Sequence, residues 1–430
     1  MARSVLSHPR DKERLLDELE RDVMSTLTEL ASYGADKAGG VTRLLYTEEW
    51  LAAQRALAAK MSGCGLEAEF DEVGNLFGRL QGEDAEAPAI LTGSHIDTVV
   101  QGGMYDGAYG IAAGLAAVAH LKRNFGRPKR ALEVVSLCEE EGSRFPMAYW
   151  GSGSIVGKRD FEQIAGLRDA RGVAFSDAMT GCGFGESAGR RRSLRSVIGA
   201  FVEAHIEQGA VLETEGACIG VVEAIAGQRR LQFEVTGEAN HAGTTPMRLR
   251  RDALEGASAM MQALRREALR RGDPLVATVG RLQVQPNVPN VVPGKVSFTV
   301  DARHVDGQLL ARFCEWVKRT FERMADERGL RIEGRTWFRE EPVPMDAGLT
   351  RQLEEACGDL AVSARRMASG AGHDAQMFAH RCRTAMLFVP SRRGISHSPE
   401  EYTEPRELAA GALVLTELLY RIGYGEERLS

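Results

Sequence analysis

The sequence predicts a two-domain α/β protein, in which a smaller α+β domain is inserted into a mainly parallel α/β domain. Three observations predict it. Apolar strand-like runs alternate with helical patterns over the first half of the chain. Between about Ala224 and Phe338 the order changes to β-α-β-β-α-β. Beyond that stretch the α/β character returns and continues to the C-terminus. The main domain is therefore expected over 1–223 and 339–430, with the insert over 224–338.

Each element follows from its pattern. Leu15, Leu16, Leu19, Val23, Leu27 and Leu30 recur at helical spacing from Arg14 to about Ser32, and Gly34 supplies a stop. A second helix runs from about Thr47 to Met61. Ala89-Ile90-Leu91 is a short apolar strand, followed by a Gly/Ala-rich helix from about Gly110 to Leu121. Ala131 to Cys138 and Ala200 to Ala204 are further apolar strands. The Gly/Arg/Ser stretch from Gly181 to Ser196 reads as a flexible surface loop. Within the insert, Leu231–Thr236 is a strand and Asp252–Arg271 a helix. Leu275–Val284 and Lys295–His304 are strands joined through PNVPNVVPG. Gln308–Arg328 is a helix with Leu309, Phe313, Val317 and Phe321 on one stripe, and Arg331–Phe338 is the last strand. That order is the split βαβ of ferredoxin-like domains. No internal repeat is evident.

Composition excludes several function classes. A net charge of −6 gives no reason to expect nucleic acid or an anionic membrane as partner. Charges interrupt the first 22 residues every few positions, so no apolar segment of a secretory signal forms. No stretch of 18 uninterrupted apolar residues marks a membrane span. The 7 cysteines are scattered, odd in number and never in a CxxC, which fits reduced thiols in the cytoplasm.

Chemistry-bearing residues cluster after the strand-like runs. In GSHIDTVVQGGMYDG, His95 and Asp97 follow one strand, and Asp106 lies in a glycine-rich loop before a helix. Strand C-termini line the crevice where open α/β sheets bind ligands. Histidine offers a nitrogen ligand to zinc-like ions, and aspartate an oxygen able to bridge two of them. Asp97 is better placed to orient the His95 ring than to be a further ligand. The next strand ends in CEEEGSRF, where three adjacent carboxylates need a neutralising cation. AFVEAHIEQG brings His205 and Glu207 to another strand end, and GISHSPEE places His397 in a late loop. Taken singly, these motifs also fit a turn-forming loop or a solvated acidic turn. Together they indicate a metal site. His95, Asp106, Glu141, His205 and His397 are five candidate ligands. If Asp106 is shared, each of two ions about 3.5–4 Å apart has three protein ligands. Glu140 is then free as a proton shuttle.

At these residues the chain resembles the M20 family of two-metal amidohydrolases and peptidases. Within it, the chain is similar to the hydantoinase/carbamoylase branch, and most to the allantoate-hydrolysing members. The segments that carry the resemblance include YGADKAGGVTRLLYTEEW, FDEVGNLFGRLQG, GSHIDTVV, EEEGSRFP, AHIEQG, AGQRR, NHAGTTPM, NVVPGK, SGAGHDAQMFA and GISHSPEE. They cover nearly the whole chain after about the first 20 residues.

The resemblance implies a catalytic domain, a lid or dimerisation domain and a homodimer. It implies that His95, Asp106, Glu141, His205 and His397 hold two Zn²⁺ or Mn²⁺ ions, with Asp106 bridging, and that Glu140 is the general base. Arg303 lies on the polar face of the strand VSFTVDARH by period two, where its guanidinium can hold a carboxylate. The resemblance assigns Arg303 and Asn290 to the substrate carboxylate and Arg230 to a contact characteristic of allantoate-hydrolysing members. His241 matches an oxyanion-stabilising histidine that acts on the partner subunit's site, which requires a closing domain motion. Gln208 and His373 are further pocket candidates. The implied reaction is cleavage of a C–N bond in a small ureido acid, allantoate giving ureidoglycine, ammonia and carbon dioxide. An N-carbamoyl-L-amino-acid hydrolase is the alternative, ahead of a dipeptidase, an aminoacylase or a catalytically silent binding protein.

Overall fold

The computed structural model describes residues 5–6, 9–185 and 197–425. The chain begins with α1 (Pro9–Ser32), α2 (Glu48–Gly63), β1 (Glu67–Phe70), β2 (Leu76–Leu80), β3 (Ala89–His95), α3 (Ala108–Phe125) and β4 (Leu132–Leu137). It continues through α4 (Trp150–Ile155), α5 (Phe175–Gly181), β5 (Ile198–Ile206), α6 (Val211–Glu215) and β6 (Ile219–Ile225). Next come β7 (Gly227–Thr236), β8 (Asn240–His241), α7 (Ala253–Arg271), β9 (Val276–Gln285), β10 (Val291–Val292), β11 (Lys295–His304), α8 (Gly307–Asp326), β12 (Arg331–Glu340) and β13 (Val343–Pro344). It closes with α9 (Ala347–Asp359), β14 (Ala364–Ser369), α10 (Ala375–Phe378), β15 (Arg383–Val389) and α11 (Pro405–Tyr424).

Contacts divide this chain into two units. One holds the described residues up to Glu223, Met345–Met367 and those from His373 onward; the other holds Ala224–Pro344 and Ala368–Gly372. The short segment joins the second unit through hydrogen bonds from Ala226 N–H to Ser369 O (2.8 Å) and from Arg303 Nη1 to Gly370 O (2.7 Å).

The large sheet has the order β1-β2-β4-β3-β5-β15-β6-β13, with β14 also paired to β6. Its centre is parallel, β3 pairing with β4 and β5, and β5 with β15. Its flanks are antiparallel. The sheet is therefore mixed rather than mainly parallel. Connectivity is the reason. A short turn joins β1 to β2 and permits only antiparallel pairing, whereas parallel neighbours need a crossover such as α3 between β3 and β4. The central strands β3 and β4 are buried along their whole length, as strands covered on both faces must be. Helix α3 is buried from Ala108 to Leu121. Its small residues let it lie close to the sheet: a Cβ at Gly110 would sit 2.5 Å from Ala204 O. Helices α1 and α11 pack against α3.

Two further expectations from the sequence differ from the structure. Residues 186–196 of the expected surface loop lie outside the described residues. Its first part is not a loose surface segment: Gly181 ends α5, and Phe184 is buried against Tyr46, Trp50 and Phe70. One aromatic side chain outweighs the glycines around it. The second correction concerns α8, where Leu309 is 41% exposed and Leu310 is buried. Each four-residue step overshoots a turn by roughly 40°. After three such steps Leu309 has rotated off the face that Phe321 occupies.

In the second unit the sheet order is β12-β7-β11-β9, antiparallel throughout. Helices α7 and α8 cover one face. Phe233, Val235, Phe298 and Val300 alternate into that core beside Met260, Leu264, Phe313, Val317 and Phe321. Asp252 and Asp306 cap the two helices, each accepting two backbone N–H groups. The alternate strand positions place Gln228, Arg230, Asp301 and Arg303 on the face opposite to the helices. Among the described residues no helix is long and apolar enough to cross a membrane.

Candidate metal centre

The parallel strands carry their C-terminal ends to one place. His95 ends β3, Glu140 and Glu141 follow β4, and His205 lies near the end of β5. Asp106 sits just before α3, and His397 in the loop after β15. The structure brings these six residues together. Donor atoms of His95, Asp106 and His205 lie within 4.8 Å of one another, as do those of Asp106, Glu141 and His397, and of His95, Glu140 and Glu141.

The two oxygens of Asp106 face different partners. Oδ1 lies 3.3 Å from His95 Nε2 and 3.1 Å from His205 Nε2. Oδ2 lies 3.2 Å from His397 Nε2, which is also 3.3 Å from Glu141 Oε1. The other ring nitrogens of the two buried histidines are already committed. His95 Nδ1 lies 3.1 Å from Asp97 O, and His205 Nδ1 lies 2.9 Å from Ile206 O. A neutral ring donating from Nδ1 turns its Nε2 lone pair toward Asp106. The lone pair on His95 Nε2 would then oppose a carboxylate oxygen unless a proton or a metal ion lies between them, while that on His205 Nε2 also accepts Gly107 N–H at 3.2 Å. Bonds of roughly 2.0–2.1 Å to a tetrahedral ion place ligand atoms roughly 3.3 Å apart. The donor set and its 3.1–3.3 Å spacing therefore fit divalent ions on both sides of Asp106.

The titration behaviour of the metal-free site reflects the same crowding. Burial is the largest influence and opposes charge on His95 and His205, but Asp106 together with Asp97 for His95 and with Glu203 for His205 overcomes it and raises both. Hydrogen bonds to Asp106 and then Glu141 raise His397 to about 10. Burial pushes Asp106 up, yet the three histidines hold it well below the carboxylate range. Glu140 moves the other way. Burial raises it well above the usual value, with Glu141, Asp374 and Asp97 adding to the rise and His95 opposing it.

Other residues hold this arrangement. Asp97 Oδ1 accepts Glu140 N–H at 3.0 Å and Oδ2 accepts Glu141 N–H at 3.2 Å, while Oδ1 lies 3.3 Å from His95 Nδ1. Gly107 has φ +65°, and a Cβ there would lie 2.4 Å from His95 Cε1. Gln208 donates from Nε2 to Asp106 Oδ2 at 2.8 Å. His373 is buried with its ring 4.5 Å from that of His205; burial, then His205, pushes its pKa well below the usual value. The sequence reading passed over Arg43. Its guanidinium is buried and donates to Ile96 O (2.7 Å) and Leu30 O (2.7 Å); burial lowers its pKa to about 10, and the charge of Asp97 opposes that fall. A lone arginine in VTRLLYTEEW carried no signal of burial. Glu207 is no ligand candidate: it accepts Val211 and Leu212 N–H and caps α6.

The remaining candidates belong to the second unit. Arg230 Nε and Arg303 Nε both donate to Asp301, at 3.1 and 3.0 Å. Arg230 also stacks over Trp337 and Phe338, with Cζ 5.5 and 5.0 Å from the ring centres. Asp301 was missed, although the period-two pattern that set Arg303 on the polar face sets Asp301 there too. Asn290 is exposed, its backbone carbonyl accepting Ala242 N–H. His241 is exposed, and its Nδ1 accepts N–H from Gly243 (3.1 Å) and Thr244 (3.2 Å). A neutral ring of that kind carries its hydrogen on Nε2 and presents a donor.

The chain is similar to known proteins over nearly its whole length. A protein of Escherichia coli (strain K12) named allantoate amidohydrolase is 46% identical over 410 residues, covering 95% of this chain and 100% of the relative. One of the same name from Bacillus subtilis (strain 168) is 48% identical, covering 92% of this chain and 96% of that one. The crystal structure of a hydantoinase/carbamoylase family amidase from Burkholderia multivorans superposes with a TM-score of 0.89 at 36% identity, over 93% of this chain and 97% of that one. Residues 91–421 match Peptidase family M20/M25/M40. The chain belongs to that family.

Proposed function

We propose that this chain is an amidohydrolase that cleaves a C–N bond of a small ureido acid, with allantoate as preferred substrate. The observation that carries the reading is Asp106, each of whose oxygens faces its own set of ligand-type atoms. His95, Asp106 and His205 would hold one divalent ion, and Asp106, Glu141 and His397 a second, Zn²⁺ or Mn²⁺. Bound there, the ions supply Lewis-acid activation of water and of the ureido carbonyl.

The chain's own residues do the rest. Glu140 takes a proton from the attacking water and returns it to the leaving nitrogen; a raised pKa suits both tasks. Asp97 fixes the ring of His95, and Gln208 steadies Asp106. His241 donates from Nε2 to the oxyanion that develops as water adds. Arg303, Asn290 and Arg230 hold the carboxylate end, and His373 lines the pocket. The ferredoxin-like second unit serves as lid and dimerisation domain, so His241 acts on the partner subunit's site in a cytoplasmic homodimer.

Allantoate is preferred because Arg230 is held ready by Asp301 and by two aromatic rings. A relative 38% identical, from Paenarthrobacter aurescens, is named N-carbamoyl-L-amino-acid amidohydrolase, which is the competing reading. Steady-state kinetics on metal-loaded enzyme tests the choice. Allantoate should exceed N-carbamoyl-L-amino acids in kcat/KM by at least tenfold. A higher value for any carbamoyl amino acid would overturn the preference.

A further inference from the structure

Two of the proposed ligands lie on loops that the sheet does not hold. His397 has a left-handed backbone (φ +54°) and a side chain 49% exposed. Asp106 precedes α3 in a loop whose own residues offer its side chain no support among the bonds described above. A buried carboxylate ties the two loops together. Glu401 Oε1 accepts the backbone N–H of Tyr105 at 3.0 Å and of Asp106 at 3.1 Å. Its Oε2 lies 2.7 Å from the Ser396 hydroxyl oxygen, which lies 3.2 Å from Asp106 Oδ2, so the single hydroxyl hydrogen can serve either carboxylate but not both at once. Gly103 leaves room for this clasp, since a Cβ there would overlap the Glu401 carboxylate.

We propose that Glu401 and Ser396 are positioning residues that set the affinity of the centre for its ions. The proposal rests on the metal reading above. One acid fixes the main chain of the Asp106 loop, and Ser396, held beside it, brings its one hydroxyl hydrogen within reach of both Glu401 and the Asp106 oxygen that faces His397. Ser396 also neighbours His397 directly in sequence, so the clasp restrains two of the three candidate ligands of the more exposed position at once. Neither residue touches the substrate or the reacting atoms in this assignment. Their effect is to pre-pay the ordering of two loops that an ion would otherwise have to order on binding.

The test is Mn²⁺ binding to the full-length, metal-free protein, with free Mn²⁺ read by electron paramagnetic resonance. E401A should weaken binding at least tenfold, and S396A at least threefold. E401Q should stay within threefold of wild type, because its amide oxygen accepts the same two N–H groups and its NH₂ donates to Ser396. In turnover the alanine variants should lose kcat at sub-saturating metal and regain it with excess Mn²⁺, with KM for the ureido acid unchanged. Wild-type affinity in E401A or S396A, or an E401Q as weak as E401A, would overturn the clasp. If E401A does not fold, S396A decides, because it leaves both backbone acceptors in place. A wild-type chain that binds no Mn²⁺ or Zn²⁺ would overturn the metal reading itself, and the clasp with it.

Discussion

Adjacent glutamates at 140 and 141 meet opposite surroundings. Glu141 points at His397, 3.3 Å away, whereas Glu140 sits among other acids with its pKa raised. Both donate their N–H to Asp97, so the strand end that carries them is held by one carboxylate. Replacing Glu140 by alanine should lower kcat by roughly 10²–10⁴-fold while the Mn²⁺ stoichiometry stays unchanged; an active variant would remove Glu140 from the role of base. Asp301 offers a second test. It holds Arg230 and Arg303 together, and losing a hydrogen bond to a charged group costs about 1.5–3 kcal/mol. Asp301→Ala should therefore raise KM for the acid substrate about tenfold or more, with a smaller change in kcat. A change confined to kcat would point away from carboxylate binding. At this scale the candidate ligands were legible, because histidines and carboxylates follow apolar runs. Arg43 was not, since a guanidinium announces burial only through the carbonyls that surround it.

Among the elements, the turn into α3 is the most constrained. Its Gly107 combines φ +65° with close approach to the His95 ring. Gly107→Ala would force a Cβ into that ring and a strained backbone at once. Metal affinity and melting temperature should both fall, and an unaffected variant would show that the loop has slack. The helices of the second unit make a milder case. Asp306 accepts the N–H of Gln308 (2.8 Å) and Leu309 (2.9 Å) at the start of α8. Asp306→Ala should cost about 1 kcal/mol of stability in denaturant unfolding. Helices α1, α2, α3, α7 and α8 were legible from periodicity, whereas α9 and the long α11 were not singled out. The mixed sheet and the exposure of Leu309 were not, because strand partners and rotational phase depend on what packs against each element.

For the whole molecule, proton balance and assembly give the decisive tests. In the metal-free protein His95, His205 and His397 all have raised pKa values. Ions must displace those protons, so binding should release protons, and affinity should rise with pH and weaken as pH falls. Calorimetry in two buffers of different ionisation heat measures the release; identical apparent enthalpies would contradict it. If His241 serves the partner's site, mixing inactive E140A and H241A should restore activity, because one site of each mixed dimer regains both groups. Failure to complement, with dimers demonstrably exchanged, would place His241 in its own subunit's site. By itself the sequence determined the alternation of strands and helices, the order of the insert and the residue types able to hold ions, because these depend on local pattern and side-chain chemistry. Only the tertiary structure decided that Asp106 turns one oxygen to each group of candidate ligands and that Asp97, Arg43, Gln208 and Glu401 pack around them. Those are contacts between residues up to hundreds of positions apart, which exist only once the parallel strands have carried their ends to one crevice.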